Sequence, residues 1–482
     1  MLEDKSKQLV PVPFEKSIEA FHKPLASFLS GIGLPTKNAL VAIDERKKVL
    51  RELETALQVL PMAERAKAYY LSKFSVAVTV GLFDAALNYL WDETIAALRR
   101  LVVSIDLDHF FNVAEKTEPI RGKLSSADDL RQIGDHTLLE SCRRIGLISD
   151  VNFQRLHHIN YMRNYASTAH PTDITINGYE LVSWLSNCLQ YVVCAEPDHS
   201  VITVKRLLQN IRATAIPGSD FPVIANEIIR LPQEQIDDLL WTIFGMYTDP
   251  RVEEVPKENI SGLAKCVWDA ATEDRKFDVG IKYGFFVKSA EVERKNKASD
   301  FLDIVAGQRY KSEDVLAIEL VDKLETLKKV HFGYNNFYNE YPHAKSLRES
   351  LPITGTVPRV ARPAWAKVIC LCYVGNGLGY YEGVDQSALT YYNQYIDAFG
   401  ETEVLELLHL FSDPEFVVDL NRPKAEKRMR ELAQLFKSKF ANVYIHRVLD
   451  LIISAPPQTL HKVAETTRFK TALQYAPKKP ST

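Results

Sequence analysis

Cysteine is scarce in this chain: six among 482 residues (Cys142, Cys188, Cys194, Cys266, Cys370 and Cys372), none in a CxxC pair and none beside histidines at zinc-ligand spacing. That scatter excludes a local zinc finger or ribbon and suits free thiols in a reducing compartment, so a cytoplasmic location is expected. Long apolar runs are also missing. Stretches such as 76–80 are too short and interrupted to span a bilayer, and no apolar leader follows a positive N-terminal region, so no membrane segment or signal peptide is expected. Neither charge is in large excess: 59 Lys+Arg against 62 Asp+Glu give −3. No global basic signal for nucleic acid exists, and RNA binding would need a local positive cleft. Apolar–polar alternation between hairpin turns is lacking too, which argues against a β fold. P-loop and minimal nucleotidyltransferase signatures are absent, as is a repeat of fixed period.

What remains is ordinary globular composition, 46% hydrophobic and 25% charged, written with helical periodicity. The expected fold is all-α. Residues 1–60 read as an arm with a short helix near 14–29 and another over 43–60. Residues 61–195 read as a helical bundle. Pro61 opens one long helix running to about Val103, 104–125 is a connection, and a short helix ends near Gly146. The next helix starts at Ser149-Asp150 and closes before Pro171; the last, 179–193, follows Asn177-Gly178. A break at Ala195-Glu196-Pro197-Asp198 sets off a larger helical C-terminal domain, 196–482, packed as a globular bundle or as stacked helix pairs, with a disordered tail.

One segment carries chemistry: Met162-Arg163-Asn164-Tyr165-Ala166-Ser167-Thr168-Ala169-His170-Pro171. Arg163 and His170 are seven positions apart, almost two turns at about 3.6 residues per turn, so they share a helix face. RNA carries its own nucleophile, the 2′-hydroxyl. A guanidinium can hold the phosphate oxygens through forked hydrogen bonds, and an imidazole can act as general base or acid, without a metal. Asn160 and Ser167 lie on roughly the same face; Asn164 is rotated away but can orient a phosphate or the imidazole. The structural alternative is a helix-capping His170 and an Arg163 paired with a carboxylate such as Asp84.

Residues 61–193 resemble the HEPN superfamily. The features are a long first helix (69–100), a Leu-rich short helix (138–148) and Ile159-Asn160-Tyr161-Met162-Arg163-Asn164 leading to Ala169-His170-Pro171. The family's ribonuclease motif is Arg, usually a polar residue, then His after four to six residues; Arg163, Asn164 and His170 match it with six intervening. The resemblance implies an antiparallel helical bundle, a homodimer with its two motifs facing one cleft, and a metal-independent endoribonuclease without cofactor. It implies an RNA substrate, catalytic Arg163, His170 and Asn164, and a role as toxin or antiviral effector with a regulatory or antitoxin partner. Some members are instead non-catalytic interaction or sensor modules.

Other features read more plainly. Asp84, Asn88 and Asp92 recur every four residues; Asp84 is a weak candidate for the cleft, and a solvent-facing stripe or an ion pair with Arg163 is the simpler reading. His157 and His158 point about 100° apart and, even with His136, form no ligand set; one is expected in the core and one on the surface. The run 368–374 before Gly375-Asn376-Gly377-Leu378-Gly379 lacks the βαβ context of a dinucleotide site, and the loop reads as close helix packing or a display of Tyr380 and Tyr381. Arg422, Lys424, Lys427, Arg428, Arg430, Lys437 and Lys439 read as a solvated basic face, and Tyr334, Phe337, Tyr338 and Tyr341 as core. No carboxylate–histidine metal set is visible in the sequence.

Overall fold

A computed structural model describes residues 14–36, 39–167, 176–195, 197–334 and 336–476. The chain is all-α, and no strand occurs among the described residues. No described helix is long and apolar enough to cross a membrane. Two compact units divide at Thr272 and Glu273.

The first unit is built on a helical hairpin where the sequence suggests one long helix. The helices Tyr69–Val80 and Phe83–Ile105 are separated by Gly81, which caps the first in the left-handed region (φ 95°) and donates its N–H to Ala77 and Val78 carbonyls. Glycine is required there twice over, because a Cβ would also lie 2.4 Å from Nε of the buried Arg46. Periodicity runs unbroken through the turn because both helices bury apolar faces: Leu71, Phe74 and Val78 on one, Leu87, Leu90, Trp91 and Leu98 on the other. The expected connection 104–125 also contains a helix, Leu107–Ala114, started by the Asp106 side chain accepting from His109 N. The helix Asp150–Ser167 packs against Phe83–Ile105, and Gly178–Cys188 opens with a capping box between Asn177 and Glu180.

The compact division falls beyond the Pro-containing break at 195–198 because residues 199–272 lie against the bundle. His109 Nδ1 meets Thr242 Oγ1 at 2.8 Å, Arg143 pairs with Glu234 at 3.0 Å, and Arg144–Asp238 and Arg212–Asp106 pair as well. Asn259, buried, donates to the Ile211 and Thr214 carbonyls at 3.0 and 2.8 Å and so holds the end of the helix His199–Ala213.

His109 carries a pH consequence. Complete burial pushes its imidazole down to about 4 from 6.5, opposed by Asp106 and Asp108 and reinforced by Arg212 and Arg144. The unfolded chain therefore binds more protons than the folded one between pH 6.5 and 4, and the stability held by neutral His109 is lost as pH falls through that window. Between pH 7 and 5 the loss is about 2 kcal/mol. Urea denaturation at the two pH values checks it; His109→Asn should flatten the difference, and an equal slope in both proteins would remove His109 as its source.

The second unit packs a core that includes Leu320, Leu324, Trp365, Ile369, Tyr392, Phe399, Leu408, Phe436 and Val448. In the helix Glu273–Lys288, Gly280 abuts the chain at Tyr310, where a Cβ would stand 1.8 Å from the carbonyl oxygen. Helix propensity alone favours Gly280→Ala by about 1 kcal/mol. Overpacking against backbone reverses the sign, and a net loss of about 1–3 kcal/mol in denaturant unfolding is expected.

The basic helix Pro423–Lys439 is not a bare cationic face. Arg428 donates to the Tyr373 carbonyl at 2.7 Å, Arg430 to Ile452, Ile453 and Ala455 carbonyls at 3.1, 2.5 and 2.6 Å, and Lys439 to Phe399 at 2.9 Å. Each cation closes the C-terminal end of a neighbouring helix, where unpaired carbonyls concentrate negative potential. The glycine loop beside it follows a helix, Arg362–Val374, instead of a strand, which removes the dinucleotide reading. Gly377 packs on Arg422 and Ala425, and a Cβ at Gly383 would meet Asn376 Oδ1 at 1.8 Å. The aromatic group expected in the core is on the surface where described: Tyr334 is 92% exposed, and Tyr338 and Tyr341 are exposed too. The side chain of Phe337 lies outside the described residues. Tyr341 meets the Tyr391 ring edge-on at 5.7 Å.

Candidate functional site

Arg163 stands near the C-terminal end of Asp150–Ser167, facing the second hairpin helix. Its guanidinium is gathered by side-chain oxygens from three elements. Nε donates to Asn88 Oδ1 at 3.2 Å; Nη1 reaches Asn164 Oδ1 at 2.9 Å, Asn160 Oδ1 at 3.3 Å and Asp135 Oδ2 at 3.4 Å. The side chain is 24% exposed, and that of Asp135 28%. Arg163 is thus neither sunk in the core nor bare.

The periodic stripe accounts for half of this. Asn88 faces Arg163 and also donates to the Asp84 carbonyl at 3.0 Å; Asp84 itself is exposed, and the carboxylate beside Arg163 is Asp135 instead. Asp135 is held from behind by the indole of the fully buried Trp91, Nε1 to Oδ2 at 2.7 Å. Asp92, half-buried, has its carboxyl raised above the ordinary range by desolvation, opposed by Arg163 and Lys73 and reinforced by Asp135. Two carboxyl groups thus share the field of one guanidinium.

Of the residues singled out in the sequence, Arg163, Asn160 and Asn164 come together and Asp84 stands aside. His170 and the Ser167 side chain lie outside the described residues. Asn160 is buried, which makes it a positioning group for Arg163, whereas Asn164 is exposed. Asp135 and Trp91, 28 and 44 positions away from their partners, had no local signature. Both His157 and His158 are exposed, against the expectation of one in the core; their rings lie beside His136 and Trp184 at 5.5 and 6.4 Å. Tyr161 and Tyr165 stack at 6.0 Å on the same helix, with Tyr161 exposed.

Beside the site, Lys73 lies over Tyr69 and Tyr89 at 4.8 and 5.3 Å, and an apolar groove of about 340 Å³ runs along Val76, Val80, Leu82 and Ala85. A cleft of about 610 Å³ elsewhere in the unit is lined by Arg143 and Arg144. Arg143 is shared by Glu140, Asp150 and Glu234, and Arg144 by Asp238, so these cations are already neutralised.

The second unit brings together a set that sequence spacing conceals. His331, Glu340 and Cys372 are all buried, with one ligand-type atom from each within 4.8 Å of the others. Compared with protein-family models, with curated proteins and with solved structures, the chain matches none.

Proposed function

We propose that the chain is a metal-independent endoribonuclease of the HEPN type. Arg163 holds the scissile phosphate and stabilises the phosphorane charge, and Asn164 positions the guanidinium. His170 moves the proton as general base or acid. The 2′-hydroxyl attacks the adjacent phosphorus, the P–O5′ bond breaks, and the leaving 5′-oxygen takes up a proton. The observation that carries this reading is the environment of Arg163. Asn88, Asn160 and Asn164 hold the part-exposed guanidinium in a fixed orientation beside Asp135, the kind of preset fork that meets phosphate oxygens. A homodimer through this bundle, cytoplasmic action as a toxin or antiviral effector, and a regulatory or antitoxin partner belong to the same proposal and rest on the sequence resemblance.

The ion pair between Arg163 and Asp135 favours a second reading, a non-catalytic HEPN-like interaction or sensor scaffold in which Arg163 is a structural cation. Incubation of wild type and His170→Ala with total cellular RNA in EDTA separates the two. Discrete fragments from wild type alone support the nuclease. Equal cleavage by both removes His170 from the chemistry, and no cleavage by either favours the scaffold.

A further inference from the structure

We propose that His331, Glu340, Cys372 and Tyr392 form a buried site for a divalent transition cation, zinc by the chemistry of its donors, which ties four helical segments of the second unit together. The inference is independent of the RNA reading.

His331 ends the helix Glu313–His331, Glu340 precedes Tyr341–Glu349, Cys372 lies in Arg362–Val374 and Tyr392 in Leu389–Asp397. His331 Nδ1 is 2.7 Å from Glu340 Oε1, and the Tyr392 hydroxyl donates to Glu340 Oε2 at 2.6 Å. Asp385 fixes the segment from behind, its Oδ2 accepting from Glu340 N and Tyr341 N at 3.0 and 3.1 Å. All four side chains are buried.

Without a cation the cluster does not balance. His331 Nε2 is buried and has no hydrogen-bond partner among the described residues. Whichever way protons are shared between His331 and Glu340, that nitrogen keeps either an unpaired lone pair or an unpaired N–H. Ionised Glu340 with neutral His331 leaves a net charge in a dry interior, a costly arrangement. A divalent ion taken at Nδ1, the nitrogen that faces Glu340, removes the uncompensated charge and fixes the imidazole proton on Nε2. Thiolate and carboxylate cancel its charge, neutral imidazole and phenol complete four donors, and the thiol proton leaves to solvent. Zinc–ligand bonds of about 2.0–2.3 Å put donor atoms roughly 3.3–3.8 Å apart, so the present 4.8 Å spread closes by about 1 Å. Thiolate with imidazole selects zinc or cobalt over magnesium or calcium. Four protein donors and full burial make the site structural, with no open position for a substrate.

The test uses full-length protein produced in cells supplied with Co(II), with metal content and the near-ultraviolet sulfur-to-cobalt charge-transfer band as readouts. Stoichiometric Co(II) and the band are expected in wild type and in Cys370→Ala, which alters a neighbouring thiol outside the cluster. Loss of the band is expected in Cys372→Ser. Folded wild type without stoichiometric metal, or a band that survives Cys372→Ser or vanishes in Cys370→Ala, would overturn the proposal. If Cys372→Ser does not fold, wild type and Cys370→Ala decide it by the same criteria.

Discussion

Arg163→Ala is expected to slow RNA cleavage in EDTA by about 10²–10³-fold while leaving the chain folded. The rate effect follows from the proposed role of Arg163 as the group that holds the scissile phosphate. The modest stability effect follows from what remains. Asp135 keeps its bond from Trp91 Nε1 and Asn88 its bond to the Asp84 carbonyl, while buried Asn160 Oδ1 loses the Arg163 donor, so a loss of about 1–3 kcal/mol is expected. Arg163→Lys should rescue little, because an ammonium restores the charge without the planar fork that meets four oxygens from three directions. His170→Ala is expected to cost about 10²–10⁴-fold, as for loss of a positioned proton carrier. Initial rates on one defined RNA, with melting curves beside them, check both variants. An Arg163→Ala protein that cleaves at the wild-type rate but melts early would make Arg163 a structural cation and end its catalytic role.

Arg430→Met is expected to destabilise the second unit by about 3–5 kcal/mol. Arg430 is the counter-charge of buried Glu426, which otherwise accepts only from Gln458 N at 2.7 Å among its described contacts, and it also satisfies the carbonyls that end Val443–Ser454. Removing it leaves a carboxylate and several carbonyls in a dry place. Adding Glu426→Gln should recover part of the loss, since the stranded charge goes too. Lys427→Ala on the same helix should change stability by less than about 0.5 kcal/mol, because Lys427 is 76% exposed and its Glu431 partner stands at 3.9 Å. Urea unfolding of the variants gives the comparison. If this helix tracked an RNA backbone, Arg430→Met would also reduce the salt dependence of RNA binding; no such change is expected.

Helices such as Asp150–Ser167 and Gly178–Cys188 were legible in the sequence, with Ser149-Asp150 and Asn177-Gly178 marking real starts, whereas Leu107–Ala114 was hidden in an expected connection. The hairpin at Gly81 was not legible, because the stripe continues in register across it and the reason for the turn, Arg46, comes from a different helix. Beyond the Pro-containing segment at 195–198, residues 199–272 turn back onto the bundle through pairs such as His109–Thr242, 133 positions apart. The site was half legible. Arg163, Asn160 and Asn164 share one helix and follow from spacing, and Asn88 belonged to a recognised stripe. Asp135 carries no mark that separates it from other helix-start aspartates. His331, Glu340 and Cys372 are likewise spread over 42 positions, so only folding assembles them.

Asp135 also sets the order in which lineages of this chain can lose the site. Its Oδ2 serves two masters, the indole of Trp91 in the core and the guanidinium of Arg163 at the surface. A lineage that drops Arg163 keeps the indole bond and most of its stability. One that drops Asp135 first strands a buried indole N–H and removes the charge opposite Arg163 together. On the proposed reading, descendants that abandon the reaction should therefore lose the arginine and retain the aspartate, and an Asp135 left without its arginine would record a former site.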